Sequence, residues 1–163
     1  MKTAIFPGSF DPFTIGHKDV VRSAVDLFDK VIIAVGYNSS KKGFFPIGTR
    51  LQIIKDSIKD LLEDGKKIEV ISYTGLTVDV CRREGAHVIV RSIRTSADFE
   101  MESVIAQANK KLDGNITTIF VPATGEHSFI SSTIVRDILI NGGDVSQFMS
   151  DGIDINSYKS TLK

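Results

Sequence analysis

The run Val31-Ile32-Ile33-Ala34-Val35 constrains the fold more than any other stretch of the chain. Four of its five residues are β-branched, which suits a strand, and a strand without polar residues on either face must be covered on both. That arrangement belongs to parallel sheets, whose crossover connections lay helices over each face. Further strand-like segments recur at residues 4–6, 68–73, 88–90 and 118–121. Helix-period segments separate them. Residues 17–28 carry Val20, Val21, Ala24 and Leu27 at core spacing, and residues 50–64 carry Leu51, Ile54, Ile58, Leu61 and Leu62 on one stripe. Residues 77–84 form a short helix closed by Gly85, Asp98 opens another with Met101, Ile105, Ala108 and Leu112 as its stripe, and residues 131–141 form a further one stopped by Gly142-Gly143. Polar loops lie at 37–45, 91–97 and 124–130. The alternation predicts an α/β fold, a five-stranded parallel sheet with helices on both faces. Ligands of such sheets sit beyond the C-terminal strand ends.

A chain of 163 residues fits one domain spanning residues 1–163, large enough to bury roughly 70% of its unfolded surface. A helical segment is expected at about 144–163, where Asp144-Val145-Ser146-Gln147 has capping-box character. Twenty basic residues balance twenty acidic ones, so no global field points to nucleic acid or a membrane surface. The single cysteine, Cys81, precludes an intramolecular disulfide and reads as a structural thiol. The N-terminus enters a strand without a signal-peptide layout, and no apolar run approaches the ~20 residues that span a bilayer. A cytoplasmic protein is expected.

Chemistry-bearing residues gather after strands 1, 4 and 5. Phe6-Pro7-Gly8-Ser9-Phe10-Asp11-Pro12-Phe13-Thr14-Ile15-Gly16-His17 reads as a strand-to-helix turn. Gly8 and Gly16 permit close backbone approach to a ligand, and the helix N-terminus offers free N–H groups to a phosphate. Arg91 and Arg94, three apart, present forked donors suited to phosphate oxygens, or equally answer the acids Asp98, Glu100 and Glu102 that follow. Ser131-Ser132-Thr133 offers three hydroxyls where a helix cap needs one. By their residue types alone, His17 reads more readily as a structural histidine than a catalytic one, His87, just ahead of the fourth strand, as structural, His127 as readily one as the other, and Lys41 as a solvated loop cation.

The first block resembles the T/H-x-G-H signature of the nucleotidyltransferase superfamily, and its Pro-Gly-Ser-Phe-Asp-Pro lead-in resembles the phosphopantetheine adenylyltransferases. Arg91-Ser92-Ile93-Arg94 with Ala97-Asp98-Phe99-Glu100 is similar to that family's R-G-L-R…ADFE segment, and Ile130-Ser131-Ser132-Thr133-Ile134-Val135-Arg136 to I-S-S-T-x-x-R. The resemblance implies a Rossmann-like sheet of order 3-2-1-4-5. It implies adenylyl transfer from MgATP to 4′-phosphopantetheine, giving dephospho-coenzyme A and pyrophosphate, with Mg²⁺ carried by the ATP phosphates and no dedicated metal residue. His17 would stabilise the transition state, aided by Lys41 and Arg94. Ser9, Lys41, Thr77 and Arg91 would bind the acceptor. Ser9, Phe10, His17, Ser92, Ile93, Arg94, Glu102, His127, Ser128, Phe129, Ile130, Ser131, Ser132 and Thr133 would bind ATP. A homohexamer and feedback inhibition by coenzyme A are further implications.

Ile15, Ser92, Met101 and Thr133 depart from residues common in the family, asparagine, glycine, tyrosine and serine respectively. None removes a charged phosphate ligand. Two other readings stay open on the sequence: a sister nucleotidyltransferase with another phosphate acceptor, and a non-catalytic adenine-nucleotide-binding regulator.

Overall fold

The computed structural model describes residues 1–123 and 125–161. Strands β1 (Thr3–Gly8), β2 (Lys30–Gly36), β3 (Ile68–Tyr73), β4 (Val88–Ile93) and β5 (Thr117–Pro122) form one parallel sheet of order β3-β2-β1-β4-β5. Helices α1 (Ile15–Leu27), α2 (Ile47–Ser57), α3 (Lys59–Glu63), α4 (Thr77–Glu84), α5 (Ser96–Leu112) and α6 (Ser132–Ile140) connect and follow them.

The unbroken apolar run in β2 divides between two cores, as a strand's period of two requires. Val31, Ile33 and Val35 join Ala4, Phe6 and residues of α1, α2 and α6 on one face. Ile32 and Ala34 join Ile5, Ile89 and residues of α4 on the other. Cys81 lies buried in this second core, and burial pushes its thiol up to about 11, so it stays protonated and inert.

The sheet opens between β1 and β4. β1 pairs with β2 over six positions but with β4 at only two, Ala4↔Val88 and Ile5↔Ile89, although both strands run on to Gly8 and Ile93. Pro7 lies in the unpaired part and has no N–H to offer a ladder. The cleft is thus at the point where strand order reverses.

Several sequence expectations need correction. The helix expected over 50–64 is two helices, broken at the buried Ile58. β4 continues through Arg91, Ser92 and Ile93 by pairing with β5 as far as Ile93↔Pro122, so these are strand residues and not a loop. Leu27 and Leu62 are exposed. The stripe of α5 is exposed too, and no residue of that helix is buried. Within the loop expected at 124–130, Gly125–His127 forms a 3₁₀ turn, and Thr124 lies outside the described residues. After α6, the Asp144 carboxylate accepts from Ser146 N and Oγ ahead of a 3₁₀ turn at Ser146–Phe148, and a second follows at Ile155–Thr161. Residues 162–163 of the expected C-terminal segment lie outside the described residues. No helix among the described residues is long and apolar enough to cross a membrane.

Candidate active site

β1 hands over to α1 through a tightly held turn. Phe10 takes a left-handed backbone conformation, φ 45°, and the Asp11–Pro12 peptide is cis. A Cβ at Gly8 would lie 2.9 Å from Phe10 Cζ, so the space that the missing side chain leaves is filled by the Phe10 ring. The turn's carbonyls are bound from two helices. Arg50 Nη1 of α2 donates to Ser9 O at 3.0 Å, while Arg136 Nη1 and Ser132 Oγ of α6 each donate at 2.8 Å, to Asp11 O and Pro12 O.

Thr14 caps α1, its hydroxyl accepting from His17 N at 3.3 Å. In return Thr14 N–H donates to His17 Nδ1 at 2.9 Å, a capping box with histidine where glutamate or glutamine is usual. A backbone N–H can only donate, so Nδ1 must be the acceptor and the ring proton resides on Nε2. The rings of Phe6, Phe10 and Phe13 surround the imidazole, with centroids 6.3, 5.0 and 5.4 Å away. Burial, reinforced by the positive charges of Arg94 and Arg91, pulls its pKa down to about 3. His17 is therefore a neutral N–H donor at ordinary pH.

Two cavities meet at this turn. One, of 170 Å³, is lined by Ser9, Phe10, His17, Ser92, Arg94, Asp98 and Ser132. The other, of 270 Å³, lies between the sheet, α4 and α5, lined by Gly36, Tyr73, Thr77, Ile89, Ile105, Asn109 and Thr118. Pro7, Gly8, Ser9, Arg91 and Glu102 line both. Arg91 crosses the gap between β1 and β4. Its Nη1 donates to Pro7 O, and its Nε and Nη2 donate to the two Glu102 oxygens at 2.8 and 2.7 Å. Three of five guanidinium N–H groups are so engaged, and two remain for a ligand.

Of the residues singled out in the sequence, Ser9, Phe10, His17, Arg91, Ser92, Arg94, Glu102 and Ser132 converge on the smaller cavity. Thr77 faces the larger one, its Oγ1 2.9 Å from the Tyr73 hydroxyl. The three hydroxyls of the third block have different partners. Ser131 Oγ caps α6 by accepting from Ile134 N at 3.3 Å, Ser132 holds the motif turn, and Thr133 Oγ1 accepts from Arg136 Nη2 at 3.3 Å. Ile130 O receives Arg94 Nη1 at 3.3 Å, Ile93 O accepts from Ala123 N, and Ser128 N donates to Gly125 O.

Other candidates stand apart. His127 Nδ1 lies 2.6 Å from Asp19 Oδ2 and lines a separate recess beside α1. Phe129 is exposed and packs on Phe148. Lys41, on the exposed β2–α2 loop, lines neither of these two cavities. Tyr73, Asn109 and Arg50 escaped the sequence reading because they sit in no motif. The readable signal for Asn109 was its spacing on α5, one helical turn beyond Ala106 and two beyond Glu102.

The cytidylyltransferase-like family matches residues 5–138. A phosphopantetheine adenylyltransferase of Flavobacterium psychrophilum is 46% identical over 155 residues, covering 95% of this chain and 99% of that protein. The phosphopantetheine adenylyltransferase of Bacteroides thetaiotaomicron is also 46% identical, over 156 residues, covering 96% of this chain and 100% of its own. Among solved structures, a putative nicotinate-nucleotide adenylyltransferase from Vibrio parahaemolyticus superposes over the full length of both chains with a TM-score of 0.68 at 21% identity, a likeness of fold.

Proposed function

The chain belongs to the cytidylyltransferase-like family and, within it, to the phosphopantetheine adenylyltransferases, and from that premise we propose how its residues transfer the adenylyl group of MgATP to 4′-phosphopantetheine. The products are dephospho-coenzyme A and pyrophosphate, in a step of coenzyme A synthesis. An acceptor phosphate oxygen attacks the α-phosphorus of ATP, and the bond to the departing pyrophosphate breaks. A phosphate monoester with a second pKa near ~6 is already mostly ionised at neutral pH, so the reaction needs no general base. What it needs is two anions held together and charge stabilised as the α-phosphorus becomes five-coordinate.

The observation that carries the assignment is the His17 tautomer. With Nδ1 committed to Thr14 N–H, Nε2–H is the donor available to an α-phosphate oxygen. The smaller cavity takes the nucleotide triphosphate, gripped by Arg94, by the hydroxyls of Ser131 and Thr133 and by the backbone N–H of Ser132 at the start of α6, with Phe10, Ser92, Ile93 and the 127–130 segment flanking the nucleoside. The larger cavity takes the pantetheine arm past Thr77. Ser9 and Arg91 stand on the shared wall, where the acceptor phosphate meets the α-phosphate. Lys41 joins Arg91 on the acceptor phosphate.

Mg²⁺ would be carried by the ATP oxygens. When bound it neutralises charge on the leaving pyrophosphate. The whole chain acts as one cytoplasmic domain that assembles as a homohexamer. Coenzyme A, which carries the same pantetheine arm, would compete for the larger cavity as a feedback inhibitor.

Pyrophosphate release is the test. It should depend on ATP, magnesium and 4′-phosphopantetheine together, and nicotinate mononucleotide should not replace the acceptor. His17→Ala should lower kcat about 100-fold or more while either KM moves by less than about threefold. Near-normal turnover by that variant would remove His17 from the transition state.

A further inference from the structure

Asp11 is buried, with 7% of its surface exposed, and lines neither of the two cavities at the motif turn. Its two carboxylate oxygens accept from consecutive backbone amides of the β2–α2 loop, Phe44 N at 2.7 Å and Phe45 N at 2.8 Å. Arg50, equally buried, closes the same joint. Its Nε donates to Phe45 O at 3.1 Å and its Nη1 to Ser9 O at 3.0 Å. The turn that bears Ser9 and His17 and the loop that bears Lys41 are thereby locked at one point. Lys41 is three residues upstream of Phe44, so its Cα can lie no more than about 11 Å from the anchor. A buried carboxylate is costly unless it is fully hydrogen-bonded, and charge-assisted bonds to two amides meet that cost while fixing the loop's direction.

We propose that Asp11 is a positioning residue for the acceptor phosphate: through Phe44 and Phe45 it sets the loop from which Lys41 reaches the cleft. The proposal rests on the assignment of Lys41 to that phosphate. Gly43 offers an independent probe of the joint, because a Cβ there would lie 2.9 Å from Asp11 Oδ2 and 3.2 Å from both Arg50 Nη2 and Phe45 O.

A double-mutant cycle on the full-length protein tests it, with acceptor and ATP affinities measured by titration calorimetry and the folded state checked by thermal melting. Asp11→Asn should weaken 4′-phosphopantetheine binding about tenfold while ATP binding changes less than about twofold. In a Lys41→Ala background the same substitution should weaken the acceptor less than about twofold, because the residue it acts through is gone. Gly43→Ala should reproduce this pattern and stands in for Asp11→Asn if that variant does not fold. Additive losses in the cycle, or ATP affinity falling in step with acceptor affinity, would overturn the role of Asp11. Wild-type protein that neither binds 4′-phosphopantetheine nor releases pyrophosphate with it would instead overturn the functional reading beneath it.

Discussion

At His17 one side chain does two jobs that usually belong to different residues. It completes the N-terminal cap of α1 and, because that cap consumes Nδ1, it presents a fixed Nε2–H. The same burial that fixes the ring holds it neutral, which makes a stability prediction. Folded His17 resists protonation until about pH 3, whereas in the unfolded chain it takes up a proton near the ordinary histidine value of 6.5. Between those values the unfolded state binds more protons, so stability present above pH 6.5 is lost as pH falls toward 3. The loss is at most about 1.4 kcal/mol per pH unit, and less to the extent that the ring's cavity face stays hydrated. His17→Asn keeps an acceptor near Thr14 N–H and removes the titration. Thermal midpoints measured across about pH 7.5 to 5 should therefore fall more steeply for wild type than for the variant. Parallel curves would show that the ring is not held neutral.

At the scale of elements, the sheet was legible in the sequence because an unbroken apolar run and its repeats have few folds open to them. What was not legible depends on neighbours. Arg91, Ser92 and Ile93 look like loop residues, yet β5 carries them in a ladder. Gly8 reads as room for a ligand, and the Phe10 ring takes that room. Ser131, Ser132 and Thr133 read as one cluster of donors, yet α6 spreads them over a cap, a clamp on the motif turn and a contact with Arg136. Ser131 accepts as a cap and keeps its own proton for a phosphate, so two substitutions should separate these roles. Ser131→Ala should cost about 1 kcal/mol of stability and also raise the ATP KM. Ser131→Asp keeps a competent cap, holding the thermal midpoint near wild type, but sets a negative charge against the triphosphate and should weaken ATP by tenfold or more, on the order of 1.4 kcal/mol. Unchanged ATP affinity in the aspartate variant would leave Ser131 a cap and nothing more.

At the scale of the molecule, the two faces of the sheet are unequally covered. The face against α1, α2 and α6 holds the larger core, while α5 buries none of its residues. Hydrophobic periodicity shows that a helix has an apolar side but not whose surface covers it, which is why Met101, Ile105 and Leu112 read as core. They are 67%, 45% and 54% exposed, and Phe99 and Val104 add 50% and 66%. Met101, Val104, Ile105 and Leu112 share one side of α5, and in the homohexamer proposed above that side is the surface expected to be covered. Glu102, Ala106 and Asn109 of the same helix line the larger cavity, so in the proposed assembly a contact covering α5 would also hold one wall of the proposed acceptor site. Met101→Asp with Val104→Asp should dissociate the assembly in sedimentation equilibrium without unfolding the protomer, because neither residue is buried. With α5 released, acceptor affinity should fall several-fold while ATP affinity, which depends on the motif turn and α6, changes little. A wild-type protein that is monomeric at micromolar concentration, or a dissociated variant with full acceptor affinity, would separate assembly from the acceptor cavity.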